Sequence, residues 1–455
     1  MQSFSFRFLL NVCTIVFTEW VYFHGWHGDK YFFVDRLTKK LASINILCVK
    51  LFQAIALNNQ YIDQKMNNTL LKFTDHAPWT TEDIDYETLL KLETEEGLVF
   101  CDDPSNSTAS ASASVVPINA GMISLVFRAR RKADQTRMIV KMKRRDIDRK
   151  LQLAIEDIVF LLQIVSLLIP AVSQYQLAEV VYKNIDIIKH QINFETEVQN
   201  MMRMKRNCQN LQYVKIPNVC KEITDAHPSV ILMEEIVGVS INELQEEDFA
   251  PFAKLVIKFG IVTTLIHGVT HGDLHSGNIL FIKEMATSAH HPHPHPRYKL
   301  GILDFGIVYE VDSKYKSCMF DIFTEIFVDS PKKSATRIIS MGWIEPVDAV
   351  ARLPKHDYET IVDFLSAAIQ ESVFDPGSSK QCANQVQIYK LMHTLNTYMS
   401  KPEIASLGLR PSDEFVKTQL VLAMSQGVTL TLCKNNYMSL ADEVLNELFH
   451  TDILF

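Results

Sequence analysis

The sequence predicts an α+β fold of two lobes, with a helical extension before them and a mostly helical C-terminal lobe. Apolar residues recur at helical spacing through LTKKLASINILCVKLFQAI, within the first 100 residues. Two runs with strand character, SLVFRA and RMIVKMK, come next and are joined by a polar turn. Further on, the glycine-containing segments HGDLHSGN and LDFG lie at the ends of short apolar strands, and helical spacing then resumes.

Three segments follow from this order. Residues 1–100 form the N-terminal helical extension, 115–237 an N-lobe of strands with inserted helices, and 238–455 a C-lobe. The small-residue polar run of residues 102–114 separates the extension from the N-lobe and is typical of a linker. Nucleotide sites form well between two such lobes, which makes this organisation informative about function.

Composition narrows the class of protein. The chain has 455 residues, 47% hydrophobic content and a net charge of −8, which is ordinary for a folded chain and argues against nucleic acid as a partner. The eight cysteines form no CxxC pair and no zinc-finger spacing, so we interpret them as reduced thiols.

The N-terminus contains an apolar run, FLLNVCTIVFT, between Arg7 and Glu19. Eleven residues are too few to cross a bilayer as a helix, so the run predicts a buried or membrane-surface helix rather than a span. A lipid or membrane surface therefore stays open as a partner, and membrane association as a localisation.

Two loops carry the chemistry. HGDLHSGN supplies His271, Asp273 and Asn278, and Asn278 lies five residues after Asp273. ILDFG places Asp304 at the end of a strand, and Gly306 is expected to give the turn its backbone freedom. One carboxylate for the nucleophile and two Mg²⁺ ligands are what phosphoryl transfer from ATP requires. The pair of motifs predicts a kinase-like C-lobe in which Asp273 is catalytic and Asn278 and Asp304 bind Mg²⁺.

A rival interpretation is a two-metal phosphoesterase in which Asp273 and His275 bind the metals. It requires a further carboxylate pair and an Asn-His pair downstream, and neither is present in the sequence.

These motifs resemble those of the UbiB-type (aarF-domain) atypical kinases. HGDLHSGNILF and LGILDFGIV are similar to that family's H-x-D-P-H-P-G-N and L-D-F-G motifs. Shorter stretches follow in the family's order: KLFQ, PINAGMISLVFRA, MIVK, QINFETEVQN and ILMEEIVG. The resemblance runs from about residue 35 to 330.

The resemblance implies further site residues. Lys141 would hold the α/β-phosphates of ATP or ADP, and Glu197 would pair with it; Lys143 competes with Lys141 on the same strand face. The remaining nucleotide-binding residues implied in this way are Asn119, Ala120 and Gly121 over the phosphates and Glu234 and Ile236 at the hinge.

Departures from the family pattern concern a lid over the site. The family's K-x-G-Q and E-x-D motifs correspond here to Lys50 and Gln53, with Phe52 in place of glycine, and to Gln191 and Asn193. Amides in place of carboxylates keep the shape but lose the charge. The resemblance thus implies an atypical kinase or ATPase, tied to isoprenoid-quinone or lipid metabolism, with a pseudokinase scaffold and a membrane-surface protein as alternatives.

Three further features shape the expectations. No A-P-E segment follows LDFG, which disfavours a protein substrate. The histidines of AHHPHPHPR could capture a metal, but the prolines favour an extended solvated loop. The basic segment from Arg128 to Lys150 is an exposed hairpin or a membrane-facing patch. The oligomeric state is not predicted.

Overall fold

The computed structural model describes residues 2–25, 28–45, 47–48, 77–100, 115–168, 192–288, 291–313, 316–317, 330–373, 398, 408–412, 425, 427–433 and 437–450. The chain divides into two compact units. The N-terminal unit is Met1–Gln199 with Asn218–Glu235, and the C-terminal unit is Asn200–Pro217 with Ile236–Phe455.

Within the described residues the α-helices are α1 (Gln2–Gly25), α2 (Lys30–Ile44), α3 (Tyr86–Thr94), α4 (Ile147–Leu168), α5 (Phe194–Asn207), α6 (Lys221–Ala226), α7 (Glu246–Ile261), α8 (Pro331–Ser340), α9 (Val347–Ala351), α10 (Lys355–Val373) and α11 (Tyr437–His450). The strands are β1 (Leu98–Phe100), β2 (Asn119–Ala120), β3 (Ser124–Arg131), β4 (Arg137–Lys143), β5 (Val214–Lys215), β6 (Val230–Glu234), β7 (Val269–His271), β8 (Ile279–Ser288), β9 (His291–Ile302), β10 (Val308–Glu310), β11 (Ile344–Glu345) and β12 (Arg410–Pro411).

An antiparallel sheet of order β1-β3-β4-β6 forms the centre of the N-terminal unit, with β2 also pairing with β3. Side chains alternate along its strands, and Leu125, Phe127 and Ala129 of β3 all lie in one buried core. Strands and helices together confirm the predicted α+β class, and β3 and β4 are the strands predicted from SLVFRA and RMIVKMK.

Two short strands of this sheet, β1 and β2, were not predicted. Residues 1–100 were predicted as helical, but β1 runs antiparallel to β3 and pairs Leu98 with Arg131. A run of three residues is too short for period-two alternation to be read from sequence. Leu98 and Phe100 are nevertheless buried in the sheet's core.

The N-terminal helix is longer than its apolar run. Phe6–Gly25 is long and apolar enough to cross a membrane by length and composition, so the expectation that the segment is too short was wrong. Its flanking charge Glu19 is 1% exposed and bonds to Arg36 at 2.7 Å and Lys40 at 2.5 Å, both on α2. The Arg36 hydrogen bond is the main reason that the pKa of Glu19 lies at about 2. The helix thus has a charged, packed side towards α2.

Helices and small sheets build the C-terminal unit. Its largest core combines residues of α7, α8, α10 and α11, including Ile257, Ile338, Ile369 and Val444. A three-stranded sheet of order β5-β9-β8 and the antiparallel pair β7-β10 carry the two glycine-containing loops. Lys283 of β8 and Tyr298 of β9 contact Asp248 of α7 at 2.7 Å and 3.0 Å.

The histidine and proline run was predicted as a solvated loop, and this was wrong for residues 291–297. They belong to β9, which pairs with β8 from Ile302 back to His291. Leu300 donates its N–H to Tyr213 O, away from β8. By strand alternation Pro296 lies at a position whose N–H would also point away from β8. Proline fits such an unpaired strand edge because it has no N–H to leave unsatisfied.

Candidate functional site

An ion pair lies on the face of the N-terminal sheet opposite the buried core. Met138, Val140 and Met142 of β4 are buried in the core, so Lys141 lies on the opposite face of the strand. There its Nζ is 2.6 Å from Oε1 of Glu197 on α5. Lys141 is 8% and Glu197 2% exposed. The structure therefore contains the pair that the resemblance implied, while phosphate binding by Lys141 stays a prediction.

The competing Lys143 has a different environment. Its Nζ lies 5.4 Å from the ring centroid of Phe194, the first residue of α5, and the Nζ of Lys141 lies 5.7 Å from the same ring. A cation beside an aromatic face is stabilised by the ring's quadrupole. Lys141 is thus distinguished from Lys143 by its bond to a buried carboxylate.

The loop implied to cover the phosphates contains hydrogen bonds between its own residues. Asn119 and Ala120 form β2 opposite Val126 and Leu125. Ala120 donates its N–H to Oδ1 of Asn119 at 2.7 Å, and Gly121 donates to Ser124 O at 2.9 Å. The N–H groups of Ala120 and Gly121 are already hydrogen-bonded within the protein. In this conformation they are therefore not donors to a phosphate.

Of the lid residues, the structure describes Asn193 alone; Lys50, Gln53 and Gln191 lie outside the described residues. Asn193 is exposed and its Oδ1 accepts the N–H groups of Glu195 at 3.0 Å and Thr196 at 3.3 Å. It therefore caps the N-terminus of α5, a role that asparagine and aspartate fill equally well. This capping role was not foreseen from the motif.

The two hinge residues lie in different units. Glu234 ends β6, pairs with Met138 across the sheet, and its Oε2 accepts from Nδ2 of Asn218 at 2.8 Å. Ile236 is buried, and a Cβ placed on Gly301 would lie 2.8 Å from its Cγ2. Nucleotide binding by either residue stays a prediction.

In the C-terminal unit, the HGDLHSGN loop begins at β7 and ends in the turn Ser276–Asn278. Nδ2 of Asn278 donates to the backbone O of Asp273 at 2.9 Å and lies 3.2 Å from Nε2 of His275. Both contacts use the amide nitrogen, so the network leaves Oδ1 as the atom for a metal. The Asp273 carboxylate is 3.9 Å from His275 and partly exposed.

Asp304 sits in a turn of unusual backbone geometry. Its φ is +53°, in the left-handed region that non-glycine residues seldom adopt. The freedom expected of Gly306 is thus needed at Asp304 itself. Gly306 donates its N–H to Oδ1 of Asp304 at 3.0 Å, and this Asx-type turn helps to hold the strained residue.

His271 connects the two loops. Its Nδ1 accepts the N–H of Asp273 at 3.2 Å, so the ring proton is on Nε2. Nε2 donates to Leu303 O at 3.1 Å and to Asp304 O. Burial lowers the pKa of His271, although Asp273 and Asp304 oppose this, and the ring is therefore neutral.

Two functional candidates were missed by sequence reasoning. Asn200 of α5 donates from Nδ2 to Phe305 O at 3.0 Å, so three successive carbonyls, at residues 303–305, accept bonds from side chains. Arg144 contacts the loop of residues 119–123 through Gly121 O. Asn200 is the last residue of the QINFETEVQN stretch, but no role was assigned to it; Arg144 lies outside the motifs, and a basic residue in a segment rich in lysine and arginine gave no distinguishing signal.

The donors at this site fit magnesium. Mg²⁺ takes oxygen ligands and is usually held by one or two carboxylates together with phosphates and water. Asp304 and Asn278 supply a carboxylate and an amide oxygen from one unit, and they would hold an ion that neutralises phosphate charge. Among the described residues no group of three His, Cys, Asp or Glu side chains could hold a metal.

Comparison with known proteins assigns the class and then the family. The mixed sheet and helices with these two loops define a kinase-like α+β protein. Residues 107–339, just over half of the chain, match the family of the ABC1 atypical kinase-like domain. The chain belongs to this family.

Curated relatives share the family at low identity. The protein named "Probable protein kinase UbiB" of Cronobacter sakazakii is 24% identical over 288 residues, covering 62% of this chain and 48% of the relative. Its namesake in Shewanella baltica strain OS185 is 22% identical, covering 68% and 54%. The chain thus spans about half the length of these relatives. The prediction of UbiB-type kinship is confirmed.

Solved structures give a weaker likeness. The complex of Rv3197 with erythromycin from Mycobacterium tuberculosis has a TM-score of 0.43 at 15% identity and covers 86% of this chain and 90% of that one. The Rio2 kinase from Chaetomium thermophilum has a TM-score of 0.26 at 11% identity, covering 79% and 91%. Scores at this level carry no argument about function.

Proposed function

We propose that the chain binds Mg-ATP or Mg-ADP and uses it for phosphotransfer or ATP hydrolysis. Lys141 holds the phosphates, Glu197 orients Lys141, Asn278 and Asp304 bind Mg²⁺, and Asp273 is the catalytic carboxylate. Asn119, Ala120, Gly121, Glu234 and Ile236 line the nucleotide. The observation that carries the proposal is the buried 2.6 Å pair of Lys141 and Glu197 inside an ABC1 kinase-like domain.

The chemistry of this pair supports the proposal over a purely structural one. Burying a lysine and a glutamate together costs desolvation energy that their attraction repays only in part. A buried ion pair is therefore a poor way to gain stability, whereas a lysine fixed by a carboxylate is well suited to binding phosphate.

Nucleotide binding and ATP turnover of wild type and Asp304→Asn, with and without Mg²⁺, test the proposal. Loss of a metal ligand should weaken Mg-dependent binding by at least about 10- to 100-fold, because losing even a hydrogen-bond partner of a metal ligand has an effect of that size. Asp312→Asn, an exposed carboxylate eight residues further on, should behave as wild type. If wild type binds neither Mg-ATP nor Mg-ADP, the proposal is wrong.

The substrate class follows from the family resemblance. We propose a small-molecule or lipid-linked acceptor in isoprenoid-quinone metabolism, or water, because no A-P-E segment for docking a protein substrate follows LDFG. Activity on lipid-soluble quinone precursors, with a general peptide library as the comparison, would test this.

A pseudokinase scaffold is the second candidate. The observation that favours it is the phosphate loop, whose amides at Ala120 and Gly121 bond within the protein. Asp273→Asn separates the two candidates. In an enzyme this variant binds Mg-nucleotide normally but loses turnover, whereas a scaffold shows no turnover to lose.

We further propose that α1 contacts a lipid surface. Phe8 and Glu19 are buried, while Phe6, Phe17 and Trp20 are 55%, 64% and 51% exposed. Large aromatic side chains exposed along one side of an apolar helix form a surface that a lipid membrane can cover.

Vesicle flotation tests this role. The triple variant Phe6→Gln/Phe17→Gln/Trp20→Gln keeps the helix and its packed side and should no longer float with vesicles. A matched control changes three exposed leucine and valine residues elsewhere, Leu90, Leu167 and Val347, to glutamine. Equal flotation of both variants would contradict the proposal.

A further inference from the structure

Arg144 is a buried arginine that grips the phosphate loop. It follows β4, is 4% exposed, and donates from Nε at 3.0 Å and Nη2 at 2.7 Å to the same oxygen, Gly121 O. Nη1 donates to Pro78 O at 2.8 Å and to Oδ2 of Asp83 at 3.0 Å. Four hydrogen bonds thus connect one guanidinium to three residues in two segments of the chain.

Asp83 anchors this guanidinium from the other side. Its Oδ1 accepts from Lys150 at 2.7 Å and its Oδ2 also accepts the N–H of Thr80 at 3.0 Å. Burial alone would raise the pKa of Asp83, but the bonds from Lys150 and Thr80 and the charge of Arg144 more than offset it, so the pKa is lowered. The carboxylate is therefore ionised, and Lys150 and Thr80 hold it in place together with Arg144.

The loop of residues 119–123 is also held by backbone hydrogen bonds from two neighbouring segments. Ala77 donates to Ala120 O at 2.8 Å, and the backbone N–H of Arg144 donates to Ile123 O at 2.9 Å. The carbonyl groups of residues 120, 121 and 123 all accept bonds from outside the loop. Such a loop has little freedom left to lose when a ligand binds.

We propose that Arg144 is a positioning residue that preorganises the phosphate loop, residues 119–123, for the nucleotide. The inference rests on the nucleotide-binding function proposed above and deepens it. It also accounts for a loop without a glycine-rich sequence: the loop is held in place by a side chain rather than closing on the phosphates through flexible glycines. Lysine cannot replace Arg144, because one ammonium lacks the planar fork that reaches Gly121 O and Asp83 together.

The test compares Arg144→Lys with Arg145→Lys, its exposed neighbour. Both variants keep the positive charge, but only Arg144→Lys removes the guanidinium that bonds to Gly121 O and Asp83. In Arg144→Lys the loop must be ordered on binding, so the Kd for Mg-ADP should rise about tenfold. Turnover at saturating ATP should change less than the KM. Amide hydrogen exchange across residues 118–124 should become faster, and Arg145→Lys should match wild type in every measurement.

A second variant keeps the test decisive if Arg144→Lys folds poorly. Asp83→Asn leaves both hydrogen bonds from Arg144 to Gly121 O but weakens the contact that anchors the guanidinium, and it should show a smaller rise in Kd with faster exchange.

The outcomes separate this inference from the proposed function. If Arg144→Lys shows faster amide exchange in residues 118–124 but an unchanged Kd for Mg-ADP, loop order does not matter for nucleotide binding and the preorganisation proposal is wrong. If its amide exchange is unchanged, Arg144 does not hold the loop in place. Failure of wild type to bind Mg-nucleotide would remove the proposed function and with it the nucleotide half of the inference, while the exchange measurement would still decide whether Arg144 orders the loop.

Discussion

Lys141 and Glu197 are both buried and form an ion pair at 2.6 Å. Breaking a buried ion pair by removing one partner is strongly destabilising, so Lys141→Met should lower the free energy of unfolding by about 3–5 kcal/mol. The double variant Lys141→Met/Glu197→Gln removes both charges and should recover most of that loss. Urea denaturation of the two variants measures the difference.

Lys143→Met is the matched control for this prediction. Lys143 is half-buried beside Phe194, so losing its ammonium should cost about 1 kcal/mol or less. A cost for Lys141→Met no larger than for Lys143→Met would contradict the importance of the ion pair.

His271 gives the C-terminal unit a predictable pH response. Its native pKa is below its ordinary value of 6.5 because of burial. As the pH falls below 6.5 the unfolded chain binds a proton that the native ring resists. The free energy of unfolding therefore falls by at most about 1.4 kcal/mol per pH unit until the native ring titrates.

The comparison of wild type with His271→Gln isolates this effect. Glutamine offers a donor and an acceptor but no titration in this range. Between pH 7.5 and pH 5.5 wild type should lose about 1 kcal/mol more than the variant in urea denaturation. A larger loss in the variant would contradict the assignment of a neutral ring.

At the residue scale, the sequence indicated which residues are candidates for the site better than which atoms they contact. Asp273, Asn278 and Asp304 follow from their spacing, since few other arrangements place a carboxylate, an amide and a carboxylate on successive strand ends. The contacts of Arg144 and Asn200 could not be predicted, because Gly121 O and Phe305 O are backbone atoms whose position depends on the folded chain.

At the scale of elements, β7 and β10 approach each other closely at Gly272. Gly272 donates its N–H to Ile307 O at 2.9 Å. A Cβ there would lie 2.5 Å from Cγ2 of Ile307 and 2.6 Å from a ring carbon of Tyr309. Both side chains are bulky and stiff, so the pair of strands cannot adjust without moving the loop that bears Asp273.

Gly272→Ala should therefore destabilise the protein by about 1–3 kcal/mol, the usual cost of overpacking. Gly427→Ala is the control: Gly427 is helical and an added Cβ meets nothing within 4 Å. Helix propensity predicts that it is neutral or stabilising by up to about 1 kcal/mol. Thermal denaturation of both variants checks this, and an unchanged Tm for Gly272→Ala would contradict the close approach.

Helices and strands were predicted well where the spacing of apolar residues is regular over a long run. β3 and β4 alternate over several residues, and α5 and α7 have helical spacing. β1 and the first half of β9 failed for different reasons. β1 is too short to show a period, and β9 contains prolines that are acceptable at an unpaired edge, which sequence alone does not reveal.

At the scale of the molecule, the chain enters each unit twice. Residues 200–217 belong to the C-terminal unit although they precede the last strand of the N-terminal unit. The sequence predicted three consecutive segments, 1–100, 115–237 and 238–455. The assignment of residues 200–217 to the C-terminal unit could not be predicted from the sequence. The strand β5 is only two residues long and pairs with Leu300 and Gly301, far away in the chain.

The charge distribution bears on the proposed lipid surface. The basic segment from Arg128 to Lys150 was a candidate for facing an anionic membrane, but several of its charges are engaged within the N-terminal unit. Arg128 pairs with Glu235, Lys141 with Glu197 and Lys150 with Asp83, at 2.7, 2.6 and 2.7 Å. These contacts favour the exposed-hairpin interpretation for the segment and leave α1 as the proposed lipid contact.

Vesicle binding should therefore be driven by apolar contact rather than by charge. The whole chain carries a net charge of −8, so an anionic bilayer repels it overall. Flotation with neutral phosphatidylcholine vesicles should equal or exceed that with vesicles containing phosphatidylserine, and salt should change the neutral case little, because the exposed side chains of Phe6, Phe17 and Trp20 carry no charge. Binding that requires phosphatidylserine and is lost at high salt would instead assign the contact to a basic surface.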